Sequence, residues 1–234
     1  MPVLENFKTA ITLFVHAKHQ MNSAHQFSLV VLLDSAVMVH EFTNDVAAFL
    51  HSVHTLEPAG EFTSFDVSSL FDVLAERAQA AGDMLPLDAE RLPSFTLRAI
   101  FLYQRSNVVP EFKTGREEWT RLTSYKNFFF DALFLHERAS DTCNPQAVYD
   151  FITQLEAPPP ANGAYCFEGI PNPKRILFAM AKLTAHGLQR PYQNQLNASL
   201  YSDTPWLEAP PPPAIPGTSA GTTPAAAPSH GISL

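Results

Sequence analysis

A tight turn between two apolar runs, early in the chain, is the feature that most limits its fold. Residues 27–33 are almost continuously apolar, and a second apolar run, 36–42, follows after only Asp34 and Ser35. So short a connection predicts an antiparallel hairpin. Strand-like runs at 96–103, 128–135 and 164–167 then alternate with helix-like segments. This order predicts an α/β three-layer sandwich, with helices on both faces of a mostly parallel sheet that has one antiparallel strand.

The helix starts carry capping residues. Asn44, Asp66, Asn144 and Asn172 each precede a helical apolar pattern, and proline follows the last two of them. The final helix is predicted to run from Pro173 to His186, and Gly187 is predicted to close it in a left-handed conformation.

Composition changes sharply after Gly187. Residues 188–208 are polar with scattered large apolar side chains, and residues 209–234 are mostly Pro, Ala, Gly, Thr and Ser. We therefore predict three parts: one folded domain at 1–187, a partner-binding tail segment at 188–208, and a disordered Pro/Ala-rich tail at 209–234.

The charge of the chain limits its partners. A formal net charge of −8 and a pI near 5.5 argue against binding to nucleic acid or to an anionic membrane. The apolar runs are too short to span a bilayer. Cys143 and Cys166 are the only cysteines and lack metal-site spacing, so we expect reduced thiols in an intracellular protein.

No pattern in the sequence predicts an active site. The glycines do not form a phosphate-binding loop, and neither cysteine has the context of a nucleophile, so we predict no catalytic, cofactor-binding or metal-binding residues. The histidine pairs, His16 with His19 and His51 with His54, are interpreted as solvated helix surface. Asp131, within a Phe-rich strand, is interpreted as a structural, hydrogen-bonded acid rather than a catalytic one.

The sequence leaves two other classes of protein as alternatives. A metal-dependent von Willebrand A ligand-binding module needs an Asp-x-Ser-x-Ser motif after its first strand, whereas Asp34 is followed directly by Ser35 and Ala36. The strand at 96–103 ends in Gln104, where such a module would place an aspartate, so the oxygen ligand set is incomplete. The other alternative is an α/β enzyme without a recognisable motif.

The segment that leaves the last helix, residues 188–192, is the best functional candidate; we call it the exit segment. It either packs back on its own domain or binds a partner through large side chains presented by a polar tail. The predicted partner-binding residues are Leu188, Gln189, Arg190, Pro191, Tyr192, Leu200, Tyr201 and Trp206.

Over most of residues 4–201 the chain resembles the BRISC and BRCA1-A complex member 1 family. The residues that carry the resemblance are the helix end at 17–19, the strand block at 25–31, residues 42–43, 128–131 and 180–183, His136, His186, residues 188–191 and Gln193. Members are von Willebrand A-like, non-enzymatic scaffolds of two assemblies that cleave lysine-sixty-three-linked ubiquitin.

The resemblance implies a set of protein partners and no cofactor. The direct partner would be a subunit that resembles a ubiquitin-conjugating-enzyme variant. The same complex would contain a zinc-dependent deubiquitinase with that linkage preference and an MPN-domain scaffold. Implied roles are DNA double-strand-break repair, the G2/M checkpoint and mitotic spindle assembly, in cytoplasm and nucleus.

One feature departs from the family. Its members begin the domain with a strand at the centre of the sheet, between the strands predicted here at 27–33 and 96–103, whereas this chain has only Met1, Pro2 and Val3 before the helix that starts at Leu4. We therefore hypothesise an incomplete or alternative product that aggregates or depends on its partner.

Overall fold

The predicted hairpin is present. A computed structural model describes residues 3–141, 143–155, 164–191 and 193. Strand β1, Phe27–Leu32, pairs antiparallel with strand β2, Ala36–Thr43. The turn between them contains Leu33 as well as the predicted Asp34 and Ser35, because the Leu33 amide donates to the Ser35 carbonyl at 2.8 Å.

A second sheet contains three parallel strands in the order β3-β4-β5. Their bounds are Leu97–Tyr103 for β3, Phe128–Leu135 for β4 and Cys166–Gly169 for β5. The pairing of β3 with β4 begins with Leu97 opposite Phe128, and the pairing of β4 with β5 ends with Leu135 opposite Gly169. Neither pairing contains a register shift. The predicted α/β class, with mostly parallel strands and one antiparallel strand, is therefore confirmed.

Six α-helices complete the described chain. They are α1 Val3–Met21, α2 Val46–His54, α3 Val67–Ala81, α4 Glu117–Thr123, α5 Pro145–Thr153 and α6 Pro173–Lys182, and a short 3-10 helix follows at Gly187–Gln189. None of the helices in these ranges combines the length and apolar content that a membrane crossing requires.

Strand β4 divides the core into two layers. On one face Phe130 and Phe134 pack with residues of α3, α4 and α5, and on the other Leu133 and Leu135 pack with α1 and α6. Aromatic rings dominate the first layer, where Phe101 lies 5.7 Å from Phe130 between ring centroids. Helices thus cover both faces of the parallel strands, as predicted.

The helix ends correct three predictions. Asn144 stands at the N-cap position of α5, but its side chain makes no capping hydrogen bond. Helix α2 is capped by Asp45 rather than Asn44, because the Asp45 carboxylate accepts from the Ala48 amide at 3.0 Å. Helix α6 ends at Lys182, four residues before His186, where the chain turns at Leu183. The predicted caps at Asp66 and Asn172 are confirmed by their hydrogen bonds to Ser68 and Lys174.

The two sheets do not join through hydrogen bonds between β1 and β3. They meet beyond one end of these strands, where the Asp34 carbonyl accepts from the Asp66 amide at 2.8 Å. Beside it the Leu32 carbonyl accepts from Arg105 Nη2 at 2.5 Å. The carboxyl-terminal ends of β1 and β3 therefore lie close together.

Candidate functional site

A buried aspartate in the central strand organises the region around the exit segment. Asp131 lies on β4, and its side chain is 0% exposed. Its Oδ1 accepts from the Tyr165 amide at 2.8 Å. A carboxylate removed from water needs such donors to remain charged.

Two arginines provide the other donors. Arg98 on β3 donates from Nε to Asp131 Oδ2 at 2.6 Å. Arg190 of the exit segment donates from Nη2 to Oδ1 at 2.5 Å and from Nη1 to Oδ2 at 3.1 Å, a two-pronged contact. We call Arg98, Asp131, Tyr165 and Arg190 the anchor cluster. Asp131 thus accepts two hydrogen bonds from residues of the predicted domain and two from Arg190 of the exit segment, which supports its predicted structural role.

Arg190 holds the exit segment against β5. Its side chain is 1% exposed, and its guanidinium lies 4.0 Å from the centroid of the Tyr165 ring. The Tyr165 hydroxyl donates to the Pro191 carbonyl at 2.7 Å. Gln193 continues the attachment, because its side chain both accepts from the Cys166 amide and donates to the Cys166 carbonyl, each at 2.7 Å. The Gln193 side chain thereby pairs with the backbone of β5 as a neighbouring strand would.

Arg98 links the cluster to the end of α6. Its Nη1 donates to the carbonyls of Leu183 and Ala185, the latter at 3.1 Å. These carbonyls lie just beyond the helix, where backbone acceptors lack partners within it. Burial lowers the pKa of Arg98, and the charge and hydrogen bond of Asp131 act in the opposite direction. The guanidinium keeps its charge because arginine does not deprotonate in proteins.

His186 and Gly187 shape the turn between α6 and the exit segment. His186 Nδ1 accepts from the Leu188 amide at 3.2 Å, which caps the 3-10 helix. Burial, followed by the positive charge of Lys18, lowers the pKa of His186. The prediction that Gly187 adopts a left-handed conformation is wrong: among the described residues, positive φ angles occur at Gly82, Gly115 and Gly169.

Gly187 has a different reason to be glycine. A Cβ atom built on it would lie 2.2 Å from Cε1 of Phe129, far inside van der Waals contact. Phe129 is 1% exposed and has little room to move. The absence of a side chain therefore lets the exit segment approach the sheet.

The structure places the predicted partner-binding residues in different environments. Leu188 is 49% exposed, and Gln189 and Pro191 are also exposed, whereas Arg190 points into the anchor cluster. Tyr192, Leu200, Tyr201 and Trp206 lie outside the described residues. The partner-binding assignment of these residues stays a prediction, and the structure gives Arg190 an additional role within its own domain.

Sequence reasoning missed Arg98 and Tyr165. Their contacts with Asp131 span 33 and 34 residues, a separation that no local pattern reveals. One signal was present: Arg98 is the single charged residue in the otherwise apolar run 96–103, and a charge in a buried strand requires a partner.

The described residues contain no group of three or more His, Cys, Asp or Glu side chains that is able to hold a metal ion. In one of the predicted histidine pairs, His54 Nε2 lies 3.0 Å from the Thr12 hydroxyl. Cys143 and Cys166 are both buried thiols.

Comparison with known sequences finds several similar proteins, although no family model matches the chain. BRISC and BRCA1-A complex member 1 of Danio rerio is 30% identical over 207 residues, which cover 85% of this chain and 53% of that protein. Its counterpart in Bos taurus is 27% identical, and the one in Homo sapiens 26%, each over 198 residues that cover 82% of this chain and 58% of the relative. The chain thus spans between half and three fifths of the length of these relatives.

Among solved structures, a von Willebrand factor type A from Catenulispora acidiphila aligns with 79% of this chain and 39% of its own, with a TM-score of 0.44 and 14% identity. The sequence matches extend over more than four fifths of the present chain. Over that length, the resemblance to the BRISC and BRCA1-A complex member 1 family is confirmed.

Proposed function

We propose that this chain is a non-catalytic scaffold subunit of an assembly of the BRISC and BRCA1-A type, which cleaves lysine-sixty-three-linked ubiquitin. The similar proteins are named as members of these complexes. In this proposal the chain joins other subunits and leaves catalysis to a zinc-dependent deubiquitinase.

The observation that carries the proposal is the use of buried charge to fix a surface segment. The Asp131 carboxylate accepts hydrogen bonds from Arg98, from the Tyr165 amide and from Arg190. These bonds hold the exit segment against the sheet. A segment held by a buried ion cluster, with Leu188 outward, suits recognition by another protein because less chain entropy is lost on binding.

Residues that support the family resemblance also surround this segment. His25 Nδ1 lies 2.8 Å from the Lys18 carbonyl, and Lys18 Nζ donates to the Thr184 carbonyl at 3.3 Å. Three further residues that carry the resemblance, His186, Arg190 and Gln193, lie within ten positions after Thr184. Their shared location is consistent with a common requirement to position the exit segment.

The proposed direct partner is a subunit that resembles a ubiquitin-conjugating-enzyme variant, bound by residues 188–208 with the domain surface as a second contact. An MPN-domain scaffold and the deubiquitinase complete the assembly. By the same proposal the chain acts in DNA double-strand-break repair, the G2/M checkpoint and spindle assembly, and is present in cytoplasm and nucleus. Its acidic charge favours protein partners over nucleic acid or membrane.

The experiment is affinity purification of the tagged full chain from cells, with a cleavage assay on ubiquitin chains linked through lysine sixty-three or lysine forty-eight. We expect chelator-sensitive activity that is selective for the former. Leu188→Asp should reduce the co-purified activity, whereas Leu92→Asp, at a leucine that is 83% exposed and distant in sequence, should not. Soluble chain that retrieves no such activity would contradict the proposal.

A further inference from the structure

The surface beside the exit segment is basic, although the chain as a whole is acidic. The chain has 23 Asp and Glu residues against 15 Lys and Arg residues, which gives the net charge of −8. Lys18 of α1, His25 before β1 and His186 before the exit segment nevertheless lie together just beyond the end of α6. We call these three half-buried residues the basic face.

Hydrogen bonds hold the basic face next to the exit segment. Lys18 Nζ donates to the Thr184 carbonyl at 3.3 Å, and His25 Nδ1 lies 2.8 Å from the Lys18 carbonyl. His186 Nδ1 accepts from the Leu188 amide at 3.2 Å, so this histidine also orients the start of the exit segment. The basic face and the exposed side chain of Leu188 therefore lie beside each other.

The described residues of this region retain positive charge after their contacts are counted. Lys18, Arg98 and Arg190 contribute three positive charges. Asp131 contacts both arginines and contributes one negative charge. The last carbonyls of α1 and of α6 each supply about half a negative charge. On this count about one positive charge remains, even when both histidines are neutral.

The pKa shifts of two members of the basic face agree with this balance. Burial lowers the pKa of Lys18, and the charge of Arg98 lowers it further. Burial also lowers the pKa of His186, and four basic neighbours act in the same direction: Lys18, Arg98, His25 and Arg190. A negative charge beside the basic face would oppose these shifts, so an acid from a partner would be favoured there.

We propose that the basic face and Leu188 together bind a protein partner whose surface carries an acidic residue beside an apolar pocket. The pocket receives Leu188, and the carboxylate of the partner lies against Lys18 and His25. The inference rests on the proposed function, because it names the chemistry of the partner surface that the exit segment contacts. The net charge of the chain alone would instead favour a basic partner surface.

A protein is the occupant that this surface favours over other anions. Leu188 is 49% exposed, and its apolar area matches a pocket on a protein rather than a phosphate group. The net charge of the chain opposes the approach of nucleic acid or of an anionic membrane. A single carboxylate beside an apolar pocket meets both conditions.

The main test compares two substitutions of Leu188 in the tagged full chain. Leu188→Asp and Leu188→Lys both remove the apolar side chain at an exposed position, but they add opposite charges. Opposite an acidic partner surface, Leu188→Lys should retain several-fold more of the co-purified lysine-sixty-three-selective cleavage activity than Leu188→Asp. Equal retention by the two variants, or lower retention by Leu188→Lys, would overturn the proposal.

Substitutions of Lys18 test the charge of the basic face itself. Lys18→Glu should reduce the co-purified activity about tenfold or more, whereas Lys18→Arg keeps the charge and should retain most of the activity. Lys174→Glu is the matched control, because it makes the same change of charge at an exposed lysine in the first turn of α6, and it should have no effect. Equal activity of Lys18→Glu and Lys174→Glu would contradict the proposed contact. If thermal unfolding shows that Lys18→Glu does not fold, the two Leu188 variants decide.

The salt dependence of retrieval separates this inference from the proposed function. The activity retrieved by the parent chain should fall several-fold between about 0.1 M and about 0.5 M salt, because salt screens charge pairs at a surface. The fall should be smaller for Lys18→Gln, which lacks the charge. If the parent chain retrieves activity but Lys18→Gln shows the same salt dependence, this inference fails and the proposed function stands. If the parent chain retrieves no activity, both fail.

Discussion

The two sheets of this molecule differ in how completely their strands are enclosed. Every residue of β4 is buried, because β3 and β5 pair with both of its edges and helices cover both of its faces. Every residue of β1 is only half-buried, and among the described strands β1 pairs with β2 alone. The same chain therefore contains a central strand, β4, that is paired on both edges, and a strand, β1, that is paired with a described strand on one edge.

The difference shows where stability resides. The parallel sheet combines apolar burial with the anchor cluster. The hairpin contributes half-buried side chains: Val30 and Leu32 pack against the core of the parallel sheet, and Phe27 and Leu29 pack against a smaller group that includes Phe49 of α2. Substitutions in the parallel sheet should therefore cost more free energy of unfolding than equivalent substitutions in the hairpin.

Loss of the buried carboxylate should have the largest effect. Asp131→Asn keeps the shape of the side chain but leaves Arg98 and Arg190 without a counter-charge, which should lower the free energy of unfolding by about 3–5 kcal/mol. Urea unfolding would measure it. The control is Asp72→Asn, at a largely exposed acid whose pKa is raised by its partial burial and by neighbouring carboxylates. This substitution should change the free energy of unfolding by less than about 0.5 kcal/mol. If the two variants lost equal amounts of stability, the anchor cluster would not stabilise the fold as described.

The comparison between sheets can be made with two apolar truncations. Leu133→Ala on β4, at a side chain that is 2% exposed, should lower the free energy of unfolding by about 2–5 kcal/mol. Val30→Ala on β1 should lower it by about 1 kcal/mol, because less apolar area leaves the core. Chemical denaturation of both variants would check the order, and a reversal would break the comparison.

The close approach at Gly187 should have an intermediate effect. Gly187→Ala would force a methyl group against the Phe129 ring and should lower the free energy of unfolding by about 1–3 kcal/mol. Thermal unfolding is a suitable measurement. Gly60→Ala is the matched control, because a Cβ there meets nothing within 4 Å, so its stability should be unchanged or slightly higher. An unaffected Gly187→Ala variant would mean that the exit segment is not packed on the sheet.

The smallest expected effect is a pH dependence at His186. Because burial lowers its pKa in the folded state, the unfolded chain binds more protons between that lowered pKa and about 6.5. Stability should therefore fall as the pH decreases through this window. His186→Asn keeps a capping acceptor for the Leu188 amide without titrating, so its stability should depend less on pH. The control, His51→Asn, alters an exposed histidine and should retain the dependence of the parent chain.

Much of the fold follows from local sequence. The apolar runs and the caps at Asp66 and Asn172 predict most elements, because strand and helix periodicity and capping are short-range properties. The end of α6 was misplaced because Gly187 is needed for contact with Phe129, 58 positions earlier, rather than for a left-handed turn.

The candidate site was only partly predictable. Residues 188–191 stood out by composition, yet the attachment of Arg190 depends on Asp131 and Tyr165, which the fold brings from β4 and from the start of β5. Such long-range pairing of charges is a property of the assembled sheet and leaves no signal in local spacing.

The most direct test of the difference between the two sheets is hydrogen exchange of the full chain, measured by mass spectrometry for peptides that cover β1 and β4. The account predicts that amides of β4 exchange most slowly, at a rate set by global unfolding, and that amides of β1 exchange faster through local opening. Exchange in β1 as slow as in β4 would contradict it, since both edges of β1 would then have to be protected.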